Sequence, residues 1–187
     1  ANAYGHGVEH AFQGLRAADG FAVLEIAEAQ RLRALDWRGP ILLLEGCFDR
    51  AELEEAARLQ LTVPFHAAHQ FDWLKQDSLP APLEVMLKLN TGMSRLGFEA
   101  ENVRGLVRRL SECSNVLSIT LMAHFATADE PAKGVRWQLE RFQAATAGLC
   151  LPVTLANSAA LFDYPQTHAE WVRPGITLYG SSPFTER

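Results

Sequence analysis

The sequence predicts an α/β protein of the (β/α)8 barrel class, and three observations carry that reading. Short apolar runs alternate along the chain with segments of helical period, the runs are apolar on both faces, and polar residues gather at their C-terminal ends. Alternating strands and helices give a parallel sheet, because each strand needs a crossover before the next can lie beside it in the same direction. Val8, Ala11, Phe12 and Leu15 have helical spacing, and Asp19-Gly20 ends that segment before the run Phe21 to Leu24. Ile26 to Leu35 reads as a helix, and Ile41 to Leu44, after a Gly-Pro break, as a buried strand. Ala51 to Leu59 is the next helix and Leu61 to Phe65 the next strand, with Pro64 expected at its end because proline cannot donate to a ladder. A helix from about Ala67 to Lys75 leads through a proline-containing loop to the strand Leu83 to Leu89.

Val103 to Cys113 then reads as a helix, Val116 to Met122 as a strand, Lys133 to Gly148 as a helix and Val153 to Ala156 as a strand. Ser158 is placed to cap a short helix running to Leu161, and Glu170 to Arg173 is the last strand expected. These runs make seven strands, and the chain opens on a loop leading into a helix. One strand ahead of Ala1 would complete a barrel of eight; the alternative is an open doubly wound sheet. Residues 1–187 read as one domain, since no repeat, low-complexity segment or linker interrupts the alternation.

Composition narrows the function classes. The 187 residues are 48% hydrophobic and 21% charged, which suits a globular domain with a full core. A net charge of −5 offers no basic stripe for a phosphate backbone, so nucleic acid is not expected as a partner. The six histidines lack ligand-like spacing, and Cys47, Cys113 and Cys150 are odd in number and far apart, so neither a metal site nor a disulfide framework is expected. A reducing cytoplasm fits that cysteine usage, and no long apolar span calls for a membrane. The first residue is Ala1, so further residues are expected before it.

In a barrel the C-terminal strand ends and the loops after them form the rim that holds the active site. Lys88 and Arg95 follow one strand, with Gly92 and Gly97 between and after them; His124 to Thr127 follow the next, Asn157 and Ser158 the next, and Arg173 to Ile176 the last. Asn2 to Gly7 would follow a strand ahead of the sequence. Ser158 at a helix start, with the Gly175 and Ile176 amides, makes a phosphate cradle where barrels often bind phosphate, and Tyr4 adds a phenol donor. His124 offers a flat ring, and Arg95 and Arg173 supply fixed positive charge. A planar, phosphorylated, anionic cofactor is the expected guest.

Five stretches resemble the fold-type III pyridoxal-phosphate enzymes, specifically the alanine racemase family: Ala1-Asn2-Ala3-Tyr4-Gly5-His6-Gly7, Asn90-Thr91-Gly92-Met93-Ser94-Arg95-Leu96-Gly97, His124 to Glu130, Asn157-Ser158-Ala159, and Val172 to Ile176 through Tyr179-Gly180. They lie in the family's order over nearly the whole chain. The resemblance implies that Tyr4, Asn157, Ser158, Gly175 and Ile176 bind the cofactor around its phosphate, that His124 packs on its pyridine ring, and that Arg173 stands beside its ring nitrogen. It implies that Arg95 binds the cofactor phenolate and the substrate carboxylate, and that Lys88 matches a lysine often carbamylated in the family. It also implies pyridoxal 5'-phosphate as cofactor, L- and D-alanine as substrates, and a homodimer with shared active sites. D-Alanine would serve peptidoglycan or be catabolised.

The resemblance places both catalytic bases outside the 187 residues. The Schiff-base lysine of the family directly precedes the Ala1 run, and the opposing tyrosine comes from a C-terminal β domain of the second subunit, so the barrel is expected to be incomplete at both ends. Racemisation takes a proton from one face of Cα and returns one to the other, which needs two bases. A non-catalytic barrel that binds and buffers pyridoxal phosphate is the second class to weigh. A decarboxylase is disfavoured by Arg173, where an acidic partner for the ring nitrogen would be expected. The remaining histidines, Asp129-Glu130, Arg104, Arg108 and Arg109, and the tryptophans read as surface, capping or packing residues.

Overall fold

The computed structural model describes residues 2–75 and 78–184; Ala1, the first residue of the expected cofactor-facing run, lies outside them. Two compact units emerge, one built from the chain up to Met86 with Cys113–Ser118, the other from Leu87–Glu112 with the chain from Ile119 onward.

The first unit contains α1 (Val8–Gly14), β1 (Phe21–Val23), α2 (Ile26–Ala34), β2 (Ile41–Leu43), α3 (Arg50–Arg58), β3 (Thr62–Phe65), α4 (Ala68–Lys75) and the first half of β4 (Leu83–Asn90). Its strands lie in chain order, with β1 parallel to β2 through Phe21↔Ile41 and β2 parallel to β3 through Leu42↔Thr62. Every residue of β2 and β3 is buried, as expected of parallel strands covered on both faces. Pro64 sits one residue short of the end of β3.

Two helix-to-strand turns repeat one device. After α2 and α3, Asp36 and Gln60 adopt left-handed φ of 66° and 53°. The Trp37 and Leu61 amides reach back to the Leu32 and Ala56 carbonyls at 3.1 and 2.9 Å, closing Schellman motifs without glycine. Arg33 locks the pair: its guanidinium donates to the carbonyls of Trp37, Gly39, Leu59 and Gln60 over 2.8–3.1 Å. Burial pushes the Arg33 pKa down, and nearby Arg38 adds to that.

At the amino end, Asn2, Ala3 and Tyr4 are consecutively left-handed, with φ between 52° and 54°. Such a turn is unfavourable for L-residues and needs outside support. Glu28, buried on α2, accepts the Asn2 amide, and also those of Leu24 at 3.0 Å and Glu25 at 3.4 Å. Burial raises the Glu28 pKa, but these amides outweigh it and hold the carboxyl below its usual value.

The second unit contains the rest of β4, β5 (Phe98–Glu99), α5 (Val103–Ser111), the end of β6 (Val116–Met122), α6 (Arg136–Thr146), β7 (Val153–Thr154) and α7 (Ser158–Asp163). Strands β4, β6 and β7 lie in that order, β6 pairing with β7 in parallel through Leu121↔Val153, and β5 pairs with β4 off this path. A 3-10 turn, Ala100–Asn102, leads into α5.

Three expectations are corrected here. Glu170 to Arg173 is not a strand but a single parallel bridge, Thr154↔Trp171; the Glu170 carboxylate takes the Val153 amide at 2.8 Å, and Pro174 has no amide to extend the pairing. The helix expected from Lys133 starts at Arg136, because Gly134, at φ 59°, closes a turn with its amide 2.9 Å from the Glu130 carbonyl. Asn157 rather than Ser158 caps α7, its Oδ1 accepting the Ala160 amide at 3.0 Å, and the helix runs on to Asp163.

Asn115 closes the loop between α4 and β4. Its Oδ1 accepts the Leu79 amide and its Nδ2 donates to the Leu74 carbonyl, both at 3.0 Å, and all these groups are buried. Asn115→Ala is therefore expected to cost about 2–3 kcal/mol in urea unfolding, the scale of two stranded backbone groups; a loss below about 0.5 kcal/mol would contradict this account.

Candidate active site

All the charged residues expected at the rim fall in the second unit. Lys88 lies near the end of β4, on the face shared by Met86 and Asn90, and is buried. Two residues on, Asn90 shapes the loop that carries Arg95: its Oδ1 accepts the Gly92 and Ser94 amides at 3.0 Å, while its Nδ2 donates to Ser94 Oγ at 3.4 Å and Glu99 Oε1 at 3.2 Å. The loop then returns to β4, where β5 pairs in parallel through Leu89↔Phe98. That return needs Gly97, at φ 125°, since a Cβ there would lie 2.7 Å from the Asn90 nitrogen and 2.8 Å from the Leu89 carbonyl carbon. Arg95 stands exposed on the loop and makes no hydrogen bond among the described residues.

Helix α6 braces this loop. A Cβ on Gly92 would come within 2.1 Å of the Trp137 ring, so the indole packs directly on the glycine backbone. Gln138, fully buried, donates from Nε2 to Thr91 Oγ1 and to the His124 carbonyl, both at 3.2 Å, and accepts the Ala126 amide on Oε1 at 2.7 Å. Arg141 pairs with Glu99 at 2.9 Å and Glu101 at 3.0 Å.

Arg173 is fixed by the strand ends. Its guanidinium donates to the Ala123 carbonyl at 2.7 Å, the Leu155 carbonyl at 3.3 Å and the Thr154 hydroxyl, while its amide reaches the Ala156 carbonyl at 2.9 Å. This also explains why β7 stops at Thr154: the carbonyls of Leu155 and Ala156 are spent on Arg173. Burial lowers the Arg173 pKa to about 10, which leaves it charged at neutral pH.

Beside it, Ser158 Oγ accepts the Gly175 amide at 2.8 Å and lies 3.3 Å from Thr177 Oγ1. Asn157 reaches across to the Phe125 carbonyl at 3.4 Å. Ile176 begins the 3-10 turn Ile176–Tyr179. Capping by Asn157 serves Ala160, so the amides of Ser158 and Ala159 have no acceptor within α7. Hydroxyls and free amides with no carboxylate among them suit a phosphate group.

His124 senses the charge that collects here. Its pKa falls from 6.5 to about 4, first through burial and then through the positive charges of Arg173, Arg95 and Lys88, so the ring is neutral at pH 7. A neutral ring ringed by cations is chemically suited to an anionic, flat ligand. Lys88, Arg95, His124 and Arg173 thus share one electrostatic neighbourhood, and Ser158 and Gly175 are linked by a hydrogen bond. Tyr4 belongs to the first unit and is 61% exposed. Cys47, Cys113 and Cys150 are free thiols, and burial drives Cys47 up to about 12. Among the described residues no cluster of metal-ligating side chains occurs and no helix is long and apolar enough to cross a membrane.

Sequence reading missed Asn90, Gln138, Thr154 and Thr177. Gln138 carried a legible signal: it follows Val135 by three residues and precedes Phe142 by four, a polar residue on the buried stripe of α6.

Alternating parallel strands and helices, with a cationic cluster at the strand ends, define an α/β domain of the partial-barrel kind. The model of the alanine racemase N-terminal domain family matches residues 1–183, and the chain belongs to that family. The alanine racemase of Laribacter hongkongensis is 56% identical over 190 residues, covering all of this chain and 52% of the relative. That of a Polaromonas species is 51% identical over 186 residues, covering 98% and 51%. The biosynthetic alanine racemase of Pseudomonas aeruginosa superimposes with a TM-score of 0.91 at 41% identity, over all of this chain and 52% of that one. The barrel class read from the sequence is the fold of this family, and the chain spans about half the length of the curated relatives it matches.

The depressed His124 gives stability a defined pH dependence. Below pH 6.5 the unfolded chain binds a proton that the folded one refuses until about pH 4, so stability falls as pH drops through that window and this contribution levels off beneath it. Urea unfolding from pH 7 to 4 is expected to show a loss of up to about 1.4 kcal/mol per unit from this group. His124→Gln should remove that part of the slope, and an unchanged slope would contradict the assignment.

Proposed function

We propose that the protein is a pyridoxal-phosphate-dependent alanine racemase that interconverts L- and D-alanine by two-base proton exchange at Cα. The observation that carries this reading is the match of the whole chain to alanine racemases, at 56% identity to the Laribacter protein, with the charged rim residues gathered in one unit. When bound, pyridoxal phosphate supplies an electron sink that acidifies the Cα proton of the amino acid joined to it.

Each residue has a part in that chemistry. Ser158, Asn157, Gly175 and Ile176 would hold the phosphate. His124, neutral at pH 7, covers a face of the ring without adding charge. Arg173, held by three oxygen acceptors, presents a cation that keeps its protons and would not give one to the nitrogen of a bound pyridine ring. Such a pairing would weaken the electron sink that the cofactor supplies. Arg95 receives the substrate carboxylate, and a carbamate on Lys88 would turn a buried cation into an anion able to orient Arg95.

The two bases are assigned to residues outside this sequence: a lysine directly ahead of Ala1 and a tyrosine of the partner subunit in a homodimer. A cytoplasmic enzyme supplying D-alanine to peptidoglycan, or consuming it, fits this assignment.

The decisive experiment follows the optical rotation of L-alanine and of D-alanine with the full-length protein and pyridoxal phosphate. Both are expected to decay to zero rotation, since enantiomers have an equilibrium constant of one; cofactor binding without loss of rotation would overturn the reading. Ser158→Ala should weaken pyridoxal-phosphate binding about tenfold, the worth of one hydroxyl contact to a charged group, with a smaller effect on KM for alanine. Equal affinity by absorbance titration would remove Ser158 from the cradle.

A further inference from the structure

Gln138 is the one fully buried side chain of α6 whose polar atoms all face the candidate site. Its carboxamide joins two separate rim segments: Nε2 donates to Thr91 Oγ1, at the entry of the Arg95 loop, and to the carbonyl of His124, while Oε1 accepts the amide of Ala126. Both amide protons are therefore spent, one on each segment. Thr91 is itself buried, at 1% exposure, so its hydroxyl cannot turn to water if Gln138 is lost.

The neighbours of Gln138 on α6 grip the same loop. Trp137 packs on Gly92 at the entry, and Arg141 pairs with Glu99 at the exit. Asn90 ties the inner turn. The stretch Arg95-Leu96 thus hangs between held ends, and only Gln138 also fixes the His124 backbone among these contacts.

We propose that Gln138 is a positioning residue that sets the Arg95 loop against the His124 segment, so that the carboxylate-binding guanidinium and the flat ring face one ligand in register. The inference rests on the racemase reading for the roles of Arg95 and His124. A purely packing role is the competing account, since a leucine-sized group would fill the same space.

The test uses the full-length protein with Gln138→Met, which keeps the volume and loses every hydrogen bond, and Phe142→Leu, a packing change on the same helix. Two readouts are taken: KM against kcat for alanine, and the NMR titration of the His124 ring in protein without cofactor, where Arg173, Arg95 and Lys88 are the charges that face it. Gln138→Met is expected to raise KM about tenfold with kcat changed less than about threefold, the size of one misdirected charge-assisted contact. It should also move the His124 midpoint up from about 4 toward 6.5. Phe142→Leu should lower Tm and move neither. If the two variants behave alike, Gln138 is packing and the inference falls. If the wild-type protein does not turn over alanine, the functional reading falls, and the His124 midpoint still decides whether Gln138 positions that segment. Should Gln138→Met fail to fold, Thr91→Val removes one acceptor only and is read in the same way, and no change in either readout overturns the proposal.

Discussion

A parallel strand that ends inside a protein leaves its last carbonyls and amides without ladder partners, and how those groups are satisfied governs the rest of this structure. Neutral carboxamides do most of it. Gln70 takes the His66 and Ala67 amides at 2.7 and 2.9 Å after β3, Asn90 closes the loop after β4, Gln138 spans the segment after β6, and Asn157 caps the helix after β7. A carboxamide offers donor and acceptor without charge, so it can be buried without the desolvation cost that an ion would carry. The charged residues at the strand ends are thereby left for other work.

That division of labour explains the electrostatics. Lys88, Arg95 and Arg173 act together on His124, and no carboxylate figures among the influences that set its pKa. Bringing like charges together opposes folding unless an anion joins them. Arg173 is compensated by oxygen dipoles rather than by a counter-charge, which keeps it fixed while leaving the local field positive. A cluster of this kind would gain stability from an anion, as any group that binds only the folded state must stabilise it.

Legibility in the sequence followed the range of the interactions. Val116 to Met122 was readable to the residue because its apolar run is long and bounded by polar positions at Ser114-Asn115 and His124. The turns at Asp36 and Gln60 were hidden because glycine, the usual marker, is replaced by residues whose left-handed backbone is held by Arg33 from a distance. Phe98–Glu99 could not be read as a strand, since two residues carry no period and their pairing depends on a loop doubling back. Glu170 to Arg173 looked like a strand because composition records apolar content but not that a glutamate side chain takes the hydrogen bond. At the site, residue types were legible and partners were not: Arg173 could be named as a cation, but nothing in its neighbours in sequence announces Ala123, fifty residues away.

The Arg95 loop behaves as a stitch, anchored at Thr91 and Gly92 by α6 and sewn back to β4 at Gly97. Evolution can therefore vary its length at one place only. An added or deleted residue before Ser94 or after Leu96 would shift a pairing already committed, whereas the short span Arg95-Leu96 can lengthen without disturbing either anchor. Gaps in the chains of divergent relatives would collect there, and the reach of the arginine would be the property that such gaps tune.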